Sequence, residues 1–225
     1  MTPERFEHRA QAGQALGRRL QELGLPRPLV VLALPRGGVP VAAEVARALQ
    51  APLDLLLVRK IGLPWQPELA LAAVVEGDPP QIVVDEQVRR MAGLDDAYIH
   101  AEAQRQLKEI ARQRQRYLRG RRPVELRGAT VVVVDDGVAT GTTVRAALKA
   151  LPALGVARRV LAVPVAPAET LQALQAEVDQ LVCLMTPEPF RAVGLHYRRF
   201  DQVEDEEVIA ALDAAQPATP EGETP

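Results

Sequence analysis

The sequence is poor in cysteine, in aromatic residues and in long apolar runs, and each shortage narrows what the protein can be. A single cysteine, Cys183, excludes an internal disulfide bond and favours a reducing, cytoplasmic location. Aromatic residues make up only 3% of the 225 residues, so any base-binding surface must use very few rings. No apolar run approaches the roughly 18 residues that a membrane-spanning helix needs, and no membrane partner is expected.

The sequence also lacks the motifs of several enzyme classes. Its three histidines, His8, His100 and His196, are far apart and have no metal-ligand spacing. No Ser-His-Asp or Cys-His constellation is evident, and the glycine-rich stretch after residue 135 has neither the P-loop pattern nor the G-x-G-x-x-G pattern. These absences disfavour a triad enzyme, a histidine-bound metal centre, a P-loop protein and a dinucleotide-binding fold.

Charge is distributed unevenly along the chain. Residues 201–225 hold eight of the 29 acidic residues and none of the 27 basic ones, so residues 1–200 have 27 basic against 21 acidic residues, a balance of +6. This modest positive balance suits a small polyanion. It is far below the basicity of a nonspecific nucleic-acid-binding protein, and nucleic acid is not an expected partner.

Buried strands and helices alternate along most of the chain. Apolar runs of strand length occur at residues 28–35, 53–58, 130–135, 159–164 and 181–184. Continuous apolar runs are typical of parallel strands that are covered on both faces. The pattern predicts an α/β fold with a doubly wound parallel sheet of about five core strands.

Residues 61–122 interrupt this alternation. LALAAVVEG and PQIVVDE predict a hairpin joined at residues 77–80, and residues 86–119 predict a long polar helix. We expect an α/β core at 1–60 and 123–184, an insertion at 61–122, a C-terminal hood at 185–213 and a disordered tail at 214–225. The insertion is either a lid over the site or a dimer arm, and the second alternative would make the protein a homodimer.

The stretch VVVVDDGVATGTTV, residues 131–144, carries the strongest functional signal. Asp135 and Asp136 follow a buried strand, and ligands of open α/β sheets bind outside the carboxyl ends of strands. Two carboxylates there can accept hydrogen bonds from adjacent sugar hydroxyls or help to hold a metal ion.

The residues after the acidic pair have the opposite chemistry. Small residues let backbone N–H groups turn toward one anion, threonine hydroxyls add donors, and a following helix adds its positive dipole end. The predicted phosphate loop consists of Gly137, Val138, Ala139, Thr140, Gly141, Thr142 and Thr143. The stretch therefore predicts a monophosphate site beside a diol site.

This stretch resembles the signature of the type I phosphoribosyltransferases, whose acidic pair binds the ribose hydroxyls of phosphoribosyl pyrophosphate (PRPP) and whose loop binds its 5′-phosphate. The resemblance covers most of residues 28–184. It implies that the ribose 5-phosphate group moves from PRPP to a nitrogen acceptor, a nucleobase, with release of pyrophosphate. It also implies Mg²⁺ held mainly by the substrate, with Asp135 and Asp136 as candidate protein ligands.

Two basic segments fit the same family. Arg36, Gly37 and Gly38 resemble its pyrophosphate loop, since an arginine supplies a charged fork and glycines let the backbone approach an anion. The family often has a cis peptide bond in this loop, which we expect at Arg36–Gly37. Arg59 and Lys60, after the second strand, resemble the basic turn of adenine phosphoribosyltransferases, and all three cations would neutralise pyrophosphate.

The sequence does not identify the nitrogen acceptor. Ala139 occupies the position where 6-oxopurine members carry an aspartate, which disfavours hypoxanthine and guanine. Phe190 and Tyr197 in the hood could stack on a base, or they could simply pack the hood onto the core. A second hypothesis is a regulatory protein of the same fold that senses PRPP or nucleotides and binds RNA through the arginines of residues 105–122.

Overall fold

The computed structural model describes residues 5–215, apart from the side chain of Glu68. The helices are α1 Arg9–Gln21, α2 Gly38–Leu49, α3 Glu86–Ala92, α4 Asp96–Leu118, α5 Thr142–Ala150, α6 Ala168–Leu174 and α7 Asp205–Ala214. The strands are β1 Leu29–Ala33, β2 Leu53–Leu55, β3 Val58–Leu63, β4 Gln66–Val75, β5 Gln81–Val84, β6 Thr130–Val134, β7 Arg158–Val165 and β8 Gln180–Met185.

The core is a five-stranded parallel sheet in the order β2-β1-β6-β7-β8. Strands β1 and β6 are buried at every position, as their continuous apolar runs require. One face packs against α1, α2, α4 and α7, and the other packs against α5 and α6. The predicted doubly wound α/β fold is confirmed.

The segment between β2 and β6 forms a separate antiparallel sheet of β3, β4 and β5, followed by α3 and α4. The predicted basic turn at Arg59 and Lys60 is part of β3, because this strand pairs with β4 from Val58 onward. The single long helix that the sequence predicts is divided into two. Gly93 ends α3 with a φ of +63°, and the Asp95 side chain accepts the Tyr98 N–H at 2.9 Å to start α4.

The C-terminal hood closes onto the N-terminal end of the chain. Phe6 donates its N–H to the His196 carbonyl at 2.9 Å, and Glu204 and Glu207 form a capping box at the start of α7. Helix α7 ends at Ala214, and residues 216–225 of the predicted disordered tail lie outside the described residues. Within residues 5–215, no helix is both long and apolar enough to cross a bilayer.

Candidate active site

Asp135 and Asp136 directly follow the carboxyl end of β6, which is the middle strand of the parallel sheet. Asp135 Oδ1 accepts the Asp136 N–H at 2.8 Å, and Asp136 Oδ2 accepts the Arg9 Nε–H at 2.8 Å. Burial, and then the neighbouring Asp136 charge, raise the pKa of Asp135 well above its ordinary value. Burial also raises the pKa of Asp136 although Arg9 opposes the shift. Hydroxyl donors or a second cation beside the pair would therefore favour its charged form.

Asp135→Asn is expected to stabilise the fold at neutral and alkaline pH. A carboxyl whose pKa is raised by folding contributes its stability below its unfolded pKa and loses it as the pH rises through the folded pKa. Asparagine removes the charge, and its Oδ1 can still accept the Asp136 N–H. Thermal unfolding should show a higher Tm for the variant at alkaline pH and no gain in acid. An equal gain at both pH values would show that charge burial is not the cause.

The Arg36-Gly37-Gly38 loop lies directly against this acidic pair. A β-carbon on Gly37 would collide with the Asp136 carboxylate, and one on Gly38 would lie 2.9 Å from the Val134 carbonyl oxygen and 3.1 Å from Asp135 Oδ1. Glycine is required at both positions because only a bare backbone fits so close to the carboxylates. The structure thus brings the predicted pyrophosphate loop and the acidic pair together.

The predicted cis peptide bond in this loop was placed one residue too late. The cis bond joins Pro35 to Arg36, and the expected cis bond at Arg36–Gly37 is wrong. Gly37 instead has a helical φ of −59° and serves as the N-cap of α2. The Gly38 N–H donates to the Leu34 carbonyl at 3.1 Å, which closes a turn that contains the cis bond.

The predicted phosphate loop is held from outside by the neighbouring strand, helix and hood. Val138 donates its N–H to the Val165 carbonyl at 2.9 Å, and Thr170 Oγ1 donates to the Ala139 carbonyl at 2.6 Å. A β-carbon on Gly137 would lie 2.5 Å from Val193. These contacts fix the loop on its outer side.

The C-terminal end of the predicted phosphate loop is the start of α5. Gly141 has a φ of +73° and is the N-cap of this helix, so the chain turns sharply there. The first N–H groups of a helix have no acceptor within it, and the exposed Thr142 and Thr143 lie in that first turn. Thr140 Oγ1 lies 3.5 Å from Thr142 Oγ1. This arrangement of amides and hydroxyls is suited to a phosphate group.

A cavity of about 640 Å³ adjoins the pyrophosphate loop. Arg36, Arg59 and Thr143 line it among the residues that the sequence singled out. Its other polar lining comes from helices α4 and α7, whose side chains the sequence did not assign to the pyrophosphate loop: Glu109, Arg112, Gln113, Arg116, Tyr117 and Asp205. The spacing of the α4 residues in the sequence places them on one helix face, but such a face could equally be exposed to solvent.

The two cavity arginines that the sequence predicted already face polar groups of these helices. Arg36 Nη1 lies 3.6 Å from Asp205 Oδ1, and Arg59 Nη2 donates to Gln113 Oε1 at 3.1 Å. Lys60 follows Arg59 in β3, and successive side chains of a strand point to opposite faces. Lys60 is therefore separated from Arg36 and Arg59.

Tyr197 contacts the backbone of the acidic pair through its hydroxyl group. Its hydroxyl donates to the Asp136 carbonyl at 2.5 Å, and burial raises its pKa, so the hydroxyl stays protonated. The ring is 4% exposed, with centroid distances of 5.6 Å to Phe6 and 5.0 Å to Phe200. A ring enclosed in this way has no open face for a base.

Phe190, the other predicted base-binding ring, is half-buried and stacks on His196 with a centroid distance of 5.4 Å. It is absent from the lining of the 640 Å³ cavity, so the structure does not bring it together with Arg36 and Arg59. Its contact with a base stays a prediction.

The described residues contain no group of three or more His, Cys, Asp or Glu side chains that could hold a metal ion. At the end of β6 only the two carboxylates of Asp135 and Asp136 are available. Mg²⁺ commonly binds proteins through one or two carboxylates while substrate phosphates supply other ligands. The donor set therefore fits a Mg²⁺ ion that arrives with a phosphorylated ligand.

Sequence comparison identifies the class of protein that this fold and site define. Residues 12–197 match the family described as "Phosphoribosyl transferase domain", and the chain belongs to that family.

Two groups of relatives are similar over nearly the whole chain. "Putative phosphoribosyl transferase Rv0571c" and "Putative phosphoribosyl transferase MT0597", from two strains of Mycobacterium tuberculosis, are each 47% identical over 93% of this chain. That alignment covers 47% of each relative, so the chain spans about half the length of these curated relatives. The crystal structure of TT1426 from Thermus thermophilus is 46% identical, covers 92% of this chain and 97% of its own, and superposes with a TM-score of 0.82.

Proposed function

We propose that the protein transfers the ribose 5-phosphate group of PRPP to a nitrogen acceptor, a nucleobase, and releases pyrophosphate. The observation that carries the proposal is the contact of Gly37 and Gly38 with Asp136 and Asp135 at the end of β6. The phosphate loop starts at the next residue, Gly137. Groups suited to a diphosphate, a diol and a monophosphate therefore meet at one strand end, in the order in which PRPP carries them.

In the proposed reaction the two carboxylates accept hydrogen bonds from the ribose hydroxyls. Loop 137–143 binds the 5′-phosphate, and Arg36 and Arg59 bind the diphosphate. As the bond from C1 to the diphosphate breaks, positive charge develops at C1 and negative charge on the leaving group. Burial raises the pKa values of Asp135 and Asp136, and a positive charge that develops at C1 would favour their ionised forms. Mg²⁺ bound to the diphosphate would neutralise part of the leaving charge.

Pyrophosphate release tests the proposal. Mg²⁺ and PRPP are incubated with the protein and a panel of nucleobases and amines, and pyrophosphate is measured with and without each acceptor. We expect acceptor-dependent release, with hypoxanthine and guanine among the poor acceptors because Ala139 offers no carboxylate to the base. A protein that neither binds Mg-PRPP nor releases pyrophosphate with any acceptor would contradict the proposal.

The structure disfavours the alternative hypothesis of an RNA-binding regulator. Five of the seven arginines in the segment that suggested it are paired with carboxylates, namely Arg105, Arg112, Arg114, Arg116 and Arg121. The carboxylates among these arginines lower the net positive charge of the segment, which weakens its long-range attraction for a nucleic-acid backbone. Salt-sensitive RNA binding by a protein without any turnover would restore the alternative.

Arg59→Ala is expected to raise the KM for PRPP about tenfold, the usual cost of one charge-assisted hydrogen bond. Lys60→Ala serves as the matched control, because it removes a neighbouring cation from the other face of β3. The control should change the KM less than about twofold, as surface charges outside the site usually do. Steady-state kinetics with varied PRPP measures both values. Equal effects of the two variants would show that general charge, and not the position of Arg59, binds the diphosphate.

The location and assembly of the protein stay predictions from the sequence. Cys183 is a half-buried free thiol, which suits the cytoplasm. The sequence leaves a lid and a dimer arm as alternatives for the insertion, and a homodimer follows only from the second.

A further inference from the structure

Helix α4 forms one wall of the 640 Å³ cavity with side chains spaced three and four residues apart. Such residues lie along one side of a helix, here Glu109, Arg112, Gln113 and Arg116. Arg36 and Arg59 line the same cavity from the loop after β1 and from β3. Four arginines therefore line one space.

Two carboxylates, Glu109 and Asp205, also line this space, so its ionisable side chains carry a net positive charge. A concave site of this size and sign is suited to a small anion of high charge. The diphosphate group is the most highly charged part of PRPP.

The α4 wall is fixed in place by buried contacts on other sides of the helix. Arg114 Nη1 lies 2.8 Å from Glu76 Oε2, and Tyr98 donates its hydroxyl to the Gly62 carbonyl at 3.1 Å. Ile110 is 3% exposed within the core. The guanidinium groups of Arg112 and Arg116 therefore extend from a rigid element, which lowers the entropic cost of binding a ligand.

Arg112 and Arg116 can each accept a second anion. Arg112 pairs with Glu109 at 2.6 Å, but the two side chains are 75% and 47% exposed, and such surface pairs are weak. Arg116 pairs with Asp205 at 2.7 Å while its own side chain is 65% exposed. A guanidinium has five N–H donors, so one carboxylate leaves donors for a phosphate oxygen.

We propose that Arg112 and Arg116 bind the diphosphate group of PRPP, which makes α4 the second wall of the pyrophosphate site. This inference rests on the proposed function and adds to it, because neither residue belongs to the signature loops. The diphosphate is then held between Arg36 and Arg59 on one side and α4 on the other. Thr143 lines the same cavity and connects it with the 5′-phosphate loop. The inserted helix thereby distinguishes PRPP from ribose 5-phosphate, which lacks the diphosphate.

The double variant Arg112→Gln with Arg116→Gln tests this role by calorimetry, with no turnover required. Wild type and variant are titrated with Mg-PRPP, Mg-pyrophosphate and ribose 5-phosphate. We expect the affinity for the two diphosphate ligands to fall at least about tenfold, as loss of charge-assisted hydrogen bonds predicts. The affinity for ribose 5-phosphate should not change.

Arg105→Gln is the matched control. Arg105 lies on the same helix and pairs with Glu102, three residues before it, as Arg112 pairs with Glu109. It is similarly exposed, at 78%, and does not line the cavity. All three affinities of this variant should equal those of the wild type.

The remaining outcomes separate this inference from the proposed function. Unchanged diphosphate affinity in the double variant would overturn the role of α4 and leave the proposed function intact. An equal loss for ribose 5-phosphate would also overturn it, since the damage would then be general. A wild-type protein that binds none of the three ligands would end the proposed function itself.

Discussion

Replacing both Asp135 and Asp136 with asparagine is expected to abolish measurable binding of Mg-PRPP. The double variant loses two charged acceptors for the ribose hydroxyls, and each charge-assisted hydrogen bond contributes about 1.5–3 kcal/mol. Together these losses weaken binding by a factor on the order of 10² to 10⁴. The variant also loses the ion pair with Arg9, which holds Asp136 at 2.8 Å. Isothermal titration calorimetry with Mg-PRPP measures the effect.

Asp78→Asn is the control for this double variant. Asp78 is exposed in the turn between β4 and β5 and does not line the 640 Å³ cavity, so its change should not alter the affinity. Circular dichroism and thermal unfolding establish that the double variant is folded. Binding as tight as that of the wild type would remove the acidic pair from the substrate site, and with it the basis of the proposed reaction.

The core of the fold could be predicted because its signals are local. Strands β1 and β6 are buried on both faces, so each is an unbroken apolar run. The acidic pair and the phosphate loop follow β6 without interruption. In a parallel sheet, the carboxyl ends of β1 and β6 meet at one edge, and this places the Gly37–Gly38 turn against Asp135 and Asp136.

The insertion was predicted less well because its pattern is interrupted. In β3 the exposed Arg59 and Lys60 break the apolar run, and the pairing with β4 shifts near Gly62. The division between α3 and α4 did have a signal, since Gly93 is a C-cap residue and Asp95 an N-cap residue. The polar, helix-forming composition that continues on both sides of Gly93 concealed that signal.

The role of α4 in the cavity could not be derived from sequence, because it depends on contacts between distant residues. Arg112 and Arg116 belong to a polar helix face, and periodicity does not distinguish solvent from a polar cavity. The direction of that face is set by Arg114, whose guanidinium lies 3.2 Å from an oxygen of Asp54, 60 residues earlier. No local pattern contains that contact.

Arg114 connects α4 to the core through two buried carboxylates. Asp54 is 6% exposed and also accepts the N–H groups of Leu55 at 2.8 Å and Val124 at 3.0 Å. Glu76 lies 2.8 Å from the Arg114 guanidinium and accepts the Leu57 N–H at 3.0 Å. Burial raises the pKa of Glu76 even with Arg114 beside it. The Arg114 guanidinium therefore favours the charged form of Glu76 against the effect of burial.

Arg114→Met is expected to lower the free energy of unfolding by roughly 3 kcal/mol at neutral pH, near the lower end of the cost of removing one partner of a buried pair. We use the lower end of that range because the Arg114 side chain is 22% exposed, so water can partly replace the guanidinium beside the two carboxylates. Methionine fills a similar volume, so the loss reflects charge and not a cavity. Urea unfolding measures the change.

The pH dependence of Arg114→Met identifies the cause of the loss. Without Arg114 the folded-state pKa of Glu76 should rise further above its unfolded value, so the lost stability is greatest at neutral pH and shrinks as acid protonates Glu76. Arg105→Met, which breaks an exposed pair on the same helix, should cost less than about 0.5 kcal/mol. Since Arg114 also holds the α4 wall, the variant should bind Mg-pyrophosphate more weakly. Full stability with unchanged pyrophosphate affinity would show that α4 is held by its apolar contacts alone.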